Sequence, residues 1–301
     1  MNQTSLFEDQ PELLKSRGAL LFSNWLLVDG NNLMNRCFYA TQSSLKPDDL
    51  NPLNAVVGFI RTCINYQDEY EATVVVFFDK GKGFRKKKFP EYKEGRGETP
   101  AQLKSQFSRV FQFLDAAGIP YYWSEQLEAD DLISAAARQF EGHKYVLSND
   151  QDLLQIISDT TTVIARKGKD DVLMTPERFS AEFDGLIPTQ ITDLKALSGD
   201  TSDNIPGVKG IGDKGALAIV KHFGKIENLK LPFPAHLSKY QKYFDLKGLA
   251  DAIFFKQLTT LVSTSQLQIN RYEMNYQQIK VLAEQNNLFA LMKFLNKKTG
   301  V

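Results

Sequence analysis

Cysteine and histidine are scarce in this 301-residue sequence. The two cysteines, Cys37 and Cys63, cannot form a disulfide framework, so we expect two buried free thiols and a reducing cytoplasm. The three histidines, His143, His222 and His236, are not paired at a metal-binding spacing. With no cysteine pair beside them, this excludes a typical zinc site.

Long apolar runs and an excess of one charge are also missing. No apolar run approaches the ~18 residues of a membrane span, so we expect no membrane-spanning segment. The N-terminal residues lack a charged region followed by a long apolar stretch, so we expect no secretory signal and a cytoplasmic location. Lys plus Arg and Asp plus Glu are each 36, which argues against non-specific nucleic-acid binding, although a net charge of zero conceals local patches.

Apolar strand patterns alternate with helical ones in the first part of the chain. Strands are predicted at WLLVD (25–29), TVVVFFD (73–79), residues 121–123 and HKYVLSND (143–150). Between them we predict one helix over 99–118, capped by Thr99 and ended by Gly118, and another from Glu128. This order favours an α/β fold with a mostly parallel sheet flanked by helices.

The pattern changes near Pro188, after which helices are predicted with almost no strand signal. We therefore predict a flexible tail (1–23), an α/β domain (24–187) and a helical domain (188–301). Residues 80–97 show little apolar periodicity and are predicted to form a long loop.

Acidic residues follow the predicted strands or open the helices after them, and two more stand near residue 200. They are Asp29, Asp79, Glu128, Asp130, Asp131, Asp150, Asp152, Asp200 and Asp203. Each alone is best explained as a helix cap. Parallel strands end at one edge of a sheet, however, and carboxylates gathered there repel one another. A cation resolves the repulsion, and all-oxygen ligands favour Mg²⁺ or Mn²⁺.

The stretch GDTSDNIPGVKGIGDKGA (199–216) places a glycine-rich turn beside two of these acids. A glycine-rich turn exposes backbone N–H groups that can approach a phosphate, whereas carboxylates repel one. The two features are compatible when the carboxylates hold metal and the metal receives the phosphate. The turn would then bind the same polymer further along its backbone.

A basic run, KGKGFRKKKFPEYKEGR (80–96), follows Asp79 directly. It contains eight basic and two acidic residues, a local net charge of +6. A charge run usually lies on a solvated face. Three aromatic residues, Phe84, Phe89 and Tyr92, interrupt this one, and basic residues with stacking rings suit a single-stranded nucleic acid.

Six strings now stand in one order along the chain: LLVDGNN, FFDKGKGFR, PEYKEGR, EADD, SNDQDLLQ and GDTSDNIPGVKGIGDKGA. In this order the sequence resembles the 5′-nuclease (flap endonuclease) family, from about Leu26 to at least His222. That family includes the N-terminal domain of bacterial DNA polymerase I and the phage 5′-exonucleases. The resemblance implies a PIN-like nuclease core, and we expect a free-standing form.

The resemblance also implies phosphodiester hydrolysis with two Mg²⁺ or Mn²⁺ ions, giving 5′-phosphate products. On this sequence the first ion would be held by Asp29, Asp79, Glu128 and Asp130, and the second by Asp150, Asp152 and Asp203. Asp131 and Asp200 would act through bound water or other ligands. Lys93 and Arg96 would add positive charge at the scissile phosphate.

The same resemblance implies DNA contacts in two regions. Residues 80–110 would form a helical arch that admits a free 5′ end, and 200–223 a helix–three-turn–helix that binds duplex backbone, where family members often hold K⁺. The expected DNA-binding residues are Arg36, Lys80, Lys82, Arg85, Tyr92, Gly207, Lys209, Gly210, Gly212 and Lys214. Backbone contacts carry no sequence code, so the expected substrate is a DNA structure, a 5′ flap or a nicked or branched duplex. We also expect the protein to be a monomer.

Two positions depart from the family pattern. Asn35 replaces the usual aromatic before Arg36, for which Phe38 or Tyr39 could substitute. Gly215 stands where Thr is common. Neither is a predicted metal ligand.

The N-terminal segment QTSLF resembles the short ligand of the bacterial sliding clamp through Gln3, Leu6 and Phe7, although so short a match arises easily by chance. Two alternatives to a DNA nuclease stay open. One is a relative that binds branched DNA without cutting it, and the other is a metal-dependent ribonuclease of related fold. The nine acids argue against the first alternative, and the GVKGIG turn against the second.

Overall fold

The computed structural model describes residues 22–42, 52–81, 83–263 and 266–300. Six strands form one sheet in the order β3–β2–β1–β4–β5–β6. They are β1 (Asn24–Asp29), β2 (Ala72–Asp79), β3 (Tyr121–Ser124), β4 (Lys144–Leu147), β5 (Thr161–Lys167) and β6 (Asp170–Met174). The first five are parallel, and β6 is antiparallel to β5.

Helices cover both faces of this sheet. They are α1 (Gly30–Thr41), α2 (Asn54–Tyr70), α3 (Gly83–Lys88), α4 (Ala101–Lys104), α5 (Phe107–Ala117), α6 (Ala129–Gln139), α7 (Pro176–Glu182), α8 (Ile191–Ser198), α9 (Asp213–Phe223), α10 (Ser238–Gln241), α11 (Leu246–Thr259), α12 (Tyr276–Gln285) and α13 (Phe289–Thr299). A short 3₁₀ helix occupies Gln151–Ile156. No helix in the described residues is long and apolar enough to cross a membrane.

Strand β1 shows how the sheet divides the core. Trp25 and Leu27 face the side packed by α6, α8, α9 and α11, while Leu26 and Val28 face α1, α2 and α5. All four side chains are buried, because both faces of a parallel sheet are covered. The predicted fold class is confirmed.

The chain changes direction across the sheet between β1 and β4, which are neighbours although two strands lie between them in sequence. In open α/β sheets, ligands bind outside the carboxyl ends of the strands at such a point. Asp29 ends β1 here, and Asp150 lies just beyond the end of β4. The fold therefore places the candidate site at this crevice.

Two local predictions were wrong, and one hairpin was missed. The proposed helix over 99–118 is two helices, α4 and α5, and Thr99 does not cap it. The proposed loop over 80–97 contains α3, and the β5–β6 hairpin was not predicted.

The predicted division at residue 188 stays a prediction. The C-terminal helices α12 and α13 pack on the α2 face of the sheet, through side chains such as Ile279 and Leu291. Residues from both ends of the chain thus share one core.

Gln106 lies in the break between α4 and α5 and joins it to α2. Its side chain is fully buried and reaches the start of α2. The amide oxygen accepts a hydrogen bond from the Ala55 N–H at 2.9 Å, and the amide nitrogen donates to the Asn54 side chain at 2.9 Å. Because the residue before α2, Leu53, has no capping side chain, Gln106 serves as a cap from a distant segment.

We expect Gln106→Ala to lower the free energy of unfolding by about 1–3 kcal/mol, because it leaves the Ala55 N–H buried without a partner. Urea denaturation measures the change. Gln285→Ala, at an exposed position on α12, is the matched control and should be near neutral. Equal effects of the two substitutions would contradict the capping role.

Candidate active site

The predicted acids meet at the carboxyl edge of the sheet. Asp29 and Asp79 end β1 and β2, and Glu128 and Asp150 stand directly before helical turns. Asp79 Oδ1 accepts a hydrogen bond from the Ala129 N–H at 2.7 Å, which joins the end of β2 to the start of α6. These acids therefore cap local structure and also cluster at one edge of the sheet.

Asp29 lies at the centre of this edge and is almost fully buried. Its carboxylate accepts hydrogen bonds from the Asn32 N–H at 2.9 Å and from the Ser148 hydroxyl at 2.8 Å. Burial, and then the charges of Asp79 and Asp150, nevertheless raise its pKa to about 7. The carboxylates are therefore close enough to repel one another.

The neighbouring acids show the same repulsion. Burial raises the pKa of Asp130 well above its ordinary value, and the charges of Asp150, Asp29 and Asp79 raise it further. Burial also raises the pKa of Asp152 to about 6, although its contact with Lys195 opposes the shift. A cluster of this kind is stabilised by cations.

Side-chain cations lie on the outer acids. The Lys93 amine is 2.7 Å from Glu128 and 4.0 Å from Asp203, and Arg96 donates to Asp203 at 2.6 Å. Burial would lower the pKa of Lys93, but Glu128 and Asp203 outweigh it and raise the pKa, so this amine stays charged. The two predicted catalytic residues thus stand at the acid cluster.

Lys195, on α8, bridges two further acids. Its amine contacts Asp152 closely and is 2.8 Å from Asp200. Burial would raise the pKa of Asp200, but hydrogen bonds from Lys195 and Ser202 outweigh it and lower the pKa. Sequence reasoning missed Lys195, although its place on the helix that precedes Gly199 and Asp200 is visible in LKALSGD.

Within the described residues, no three Asp, Glu, His or Cys side chains are near enough to one another to hold a metal ion as they stand. The chemistry of the donor set still fits a divalent cation. The donors are carboxylate oxygens at one edge, and the pKa values of Asp29, Asp130 and Asp152 are raised by burial and then by the charges of neighbouring acids. Hard divalent cations prefer such oxygen ligands.

Arg85 and Asp131 form a buried ion pair behind the site. The Arg85 guanidinium donates to both Asp131 oxygens at 2.7 and 2.8 Å and to Glu128 at 3.1 Å. It also donates to the carbonyls of Leu258 and Thr260 at 2.7 and 3.0 Å. All its donor directions are used inside the protein.

These contacts correct two site predictions, the DNA contacts of Arg85 and Tyr92. Arg85 is 2% exposed and has no donor left for DNA. Both Asp131 oxygens accept hydrogen bonds from Arg85, and the indirect role of Asp131 at a metal site stays a prediction. Tyr92 is equally buried, and its hydroxyl donates to Asp203 at 2.6 Å, so its ring cannot contact DNA.

A cleft of about 150 Å³ opens beside the acids. It is lined by Asp79, Lys80, Gly81, Gly83, Lys93, Arg96, Leu127 and Glu128. The Lys80 amine, at its rim, lies 5.1 Å from the ring centre of the half-exposed Trp123. The lining of the cleft therefore combines carboxylates with amines and a guanidinium, which suits a phosphate bridged by a cation.

The glycine turn is fixed to the acidic segment. Gly207 has φ +68°, and a side chain there would lie 2.3 Å from the Gly199 nitrogen, so only glycine fits. Val208 and Ile211 are buried as anchors, while Lys209, Gly210, Gly212 and Lys214 are exposed before and at the start of α9. Four of the predicted DNA-binding residues of the turn are thus accessible, whereas the fifth, Gly207, is buried.

The remaining predicted residues are placed as follows. Burial raises the pKa of the Cys63 thiol, and the charge of Arg36, half-buried on α1, opposes part of that rise. Phe38 is buried and cannot replace the missing aromatic, whereas Tyr39 is 55% exposed. Lys82 and the tail residues Gln3, Leu6 and Phe7 lie outside the described residues.

Three small polar residues of the site were also missed. The Asn31 side chain accepts a hydrogen bond from the Asp79 N–H at 3.0 Å, and Asn32 accepts one from Asn149 at 3.3 Å. Ser148 holds Asp29. These polar residues could have been found from the strings DGNN and SND, which stand at the ends of predicted strands.

The sequence matches two family descriptions that together span most of the chain. Residues 24–184 match the 5′-3′ exonuclease N-terminal resolvase-like domain, and residues 186–281 match the 5′-3′ exonuclease C-terminal SAM fold. The chain belongs to the 5′-3′ exonuclease family. The predicted membership of this enzyme family is confirmed.

Relatives in this family include a protein named 5′-3′ exonuclease from Halalkalibacterium halodurans. It is 34% identical over 254 residues, which cover 79% of this chain and 83% of that protein. DNA polymerase I of Chloroflexus aurantiacus is 39% identical over 255 residues, 81% of this chain but 27% of the polymerase. The chain thus spans less than a third of that relative.

Among solved structures, the fold resembles the bacteriophage T5 D15 flap endonuclease in a complex with DNA and metal ions. The TM-score is 0.65 at 22% identity, covering 91% of this chain and 98% of the phage protein. This similarity supports the fold of the 5′-3′ exonuclease family over nearly the whole chain.

We expect Arg85→Ala to destabilise the protein by about 3–5 kcal/mol, because it leaves Asp131 buried and unpaired. Arg85→Lys should recover only part of the loss, since an amine cannot reproduce the two-pronged contact. Urea denaturation measures both. Lys87→Ala, exposed on the same helix, is the control, and a similarly small effect of Arg85→Ala would contradict the buried pair.

Asp29 should make metal-free stability depend on pH. Its ordinary pKa of 3.8 is raised to about 7 in the folded protein, so between these values the folded state binds more protons than the unfolded state. Stability from this group therefore falls as pH rises through that window. In EDTA at about pH 8, Asp29→Asn should be more stable than wild type by about 2–4 kcal/mol.

Urea denaturation from about pH 4 to pH 8 measures this difference. It should shrink toward the acid end of the range. Asp159→Asn, at an exposed position, is the control and should follow the wild type. A constant difference between Asp29→Asn and wild type across the range would contradict the assignment.

Proposed function

We propose that the protein is a divalent-metal-dependent nuclease that hydrolyses phosphodiester bonds of 5′-flap, nicked or branched DNA and leaves 5′-phosphate products. The observation that carries this proposal is the cluster of mutually repelling carboxylates beside Lys93 and Arg96 at one cleft. Family membership supports the reaction, and the phage relative bound to DNA and metal ions supports the substrate and cofactor.

Two metal ions would be held by separate groups of the acids. Asp29, Asp79, Glu128 and Asp130 would hold the first, and Asp150, Asp152 and Asp203 the second. Bound Mg²⁺ or Mn²⁺ supplies Lewis acidity and lowers the pKa of water. The acids fit this role because each cation relieves repulsion that burial makes costly.

Lys93 and Arg96 have a separate task at the scissile phosphate. Both line the cleft, and both are held by carboxylates that would also hold metal. If Glu128 and Asp203 held metal, the Lys93 amine and the Arg96 guanidinium, which now contact these acids, would be available to the phosphate oxygens. They would then stabilise the negative charge that develops in the transition state.

DNA would be bound on both sides of the cleft. The turn at Gly207–Gly212 and α9 would hold duplex backbone, with K⁺ as a candidate ligand of the turn, and residues 80–110 would form the arch over the 5′ end. The same proposal includes a division into two domains, 24–187 and 188–301, and a monomeric state. It also includes a cytoplasmic location and tethering to a sliding clamp through the N-terminal tail.

A labelled 5′-flap DNA tests the function. Wild type should cut it with Mg²⁺ and not with EDTA. Asp150→Ala should abolish cleavage and leave flap binding in place, because it removes a ligand and also relieves repulsion. Lys93→Ala should lower the single-turnover rate by about 10²-fold, as the loss of a charge-stabilising donor commonly does.

Glu284→Ala, an exposed acid on α12, is the control and should cut normally. Flap binding by wild type without cleavage would support a non-catalytic DNA-binding relative instead. Cleavage of RNA but not of flap DNA would support the related ribonuclease. Near-normal turnover by Asp150→Ala would overturn the two-metal assignment.

A further inference from the structure

We propose that α10 and the residues after it join the glycine turn in one binding face for the backbone of double-stranded DNA. This lysine–tyrosine face consists of Lys209, Lys214, Lys239, Tyr240, Lys242 and Tyr243. It rests on the proposed function and adds a second chain segment, about 30 residues beyond the turn, to the binding of the duplex.

Two glycines hold the second segment against the turn. A side chain at Gly210 would lie 2.3 Å from the Tyr243 ring, and one at Gly215 would lie 2.9 Å from the Tyr240 ring. Gly210 also has φ +90°, which other residues rarely adopt. Each ring therefore packs directly on glycine backbone, and Gly215 leaves the space that Tyr240 occupies.

A lysine lies over each ring. The Lys239 amine is 4.8 Å from the centre of the Tyr240 ring, and the Lys242 amine is 4.9 Å from that of Tyr243. Both lysines are exposed, whereas both rings are half-buried. Cation–π contact keeps the amines near the turn, so less freedom is lost when an anion binds.

The four lysines of this face are available to an anion. Within the described residues, none of them lies in an ion pair with a carboxylate, in contrast to Lys247 and Lys256 nearby. Residues 207–243 contain seven lysines and two acids, a local net charge of +5 in a chain of net charge zero. Such a patch attracts a polyanion.

The arrangement of the rings favours duplex backbone over single strands. Single-stranded nucleic acids bind by stacking their bases on open aromatic faces. Here glycine backbone lies against Tyr240 and Tyr243, and a lysine amine lies over each ring. The face thus presents amines at fixed positions, and amines contact phosphates without reading sequence.

The double substitution Lys239→Gln, Lys242→Gln tests this face and leaves both rings in place. The probe is a labelled duplex with a 5′ flap in EDTA, followed by fluorescence anisotropy from about 50 to 200 mM KCl. We expect affinity at about 100 mM salt to fall about tenfold, and the slope of log affinity against log salt to shrink by about 1.8. Affinity for the single strand alone should not change.

Lys297→Gln, at an exposed position on α13, is the matched control and should bind as wild type does. Melting temperatures verify that all variants fold. Loss of single-strand affinity equal to the loss of duplex affinity would contradict the duplex assignment.

The two proposals fail in different ways. If the double variant binds duplex with the affinity and salt slope of Lys297→Gln, this face is wrong while flap cleavage by wild type still supports the nuclease. If wild type binds duplex through this face but does not cut, the nuclease proposal fails alone. If wild type binds no DNA, both fail.

Discussion

The buried ion pair between Arg85 and Asp131 is the contact on which the site depends. Arg85 belongs to α3, in the basic run, and Asp131 to α6, whose first turn also positions Glu128 and Asp130. The same guanidinium donates hydrogen bonds to the carbonyls of Leu258 and Thr260 at the end of α11. The Arg85 side chain thus joins the basic run, the acidic edge of the sheet and the C-terminal helices. Because an unpaired charge in this place would be costly, removing either partner would destabilise the contacts among all three parts.

The acid cluster imposes the opposite constraint. Burial and mutual charge raise the pKa values of Asp29 and Asp130, so the folded protein without metal opposes full ionisation of its own site. Lys93 and Lys195 relieve part of this repulsion at the outer acids. The same amines would be released when a cation takes over their carboxylates. A site of this kind is stabilised by the cofactor that it uses, and the relief of repulsion links metal binding to folding.

Much of the site could be predicted because its acids follow strands, and strand ends are visible in the sequence. Asp29 and Asp79 each close an apolar run, and a parallel sheet brings such ends together. The role of Arg85 could not be predicted, because it stands in a run of exposed lysines and its partner is 46 residues away. The burial of Tyr92 likewise depends on Asp203, which is brought close only by the folded chain. The hairpin β5–β6 was missed because its second strand is short, begins with two aspartates and is only partly buried.

Gly215 shows how a departure from a family pattern acquires a physical meaning only in three dimensions. From the sequence alone, glycine near the start of α9 is a small defect, since it lacks a side chain and weakens a helix. In the structure the missing side chain is the space filled by Tyr240, 25 residues later. Gly210, in the turn before α9, and Tyr243 repeat this arrangement. These two glycine–tyrosine pairs have a structural role that outweighs the lost helix stability. Together they fix a second lysine-bearing segment to a turn that is already exposed. Gly215 thus weakens the start of α9 but allows the lysines that flank Tyr240 and Tyr243 to extend the basic face.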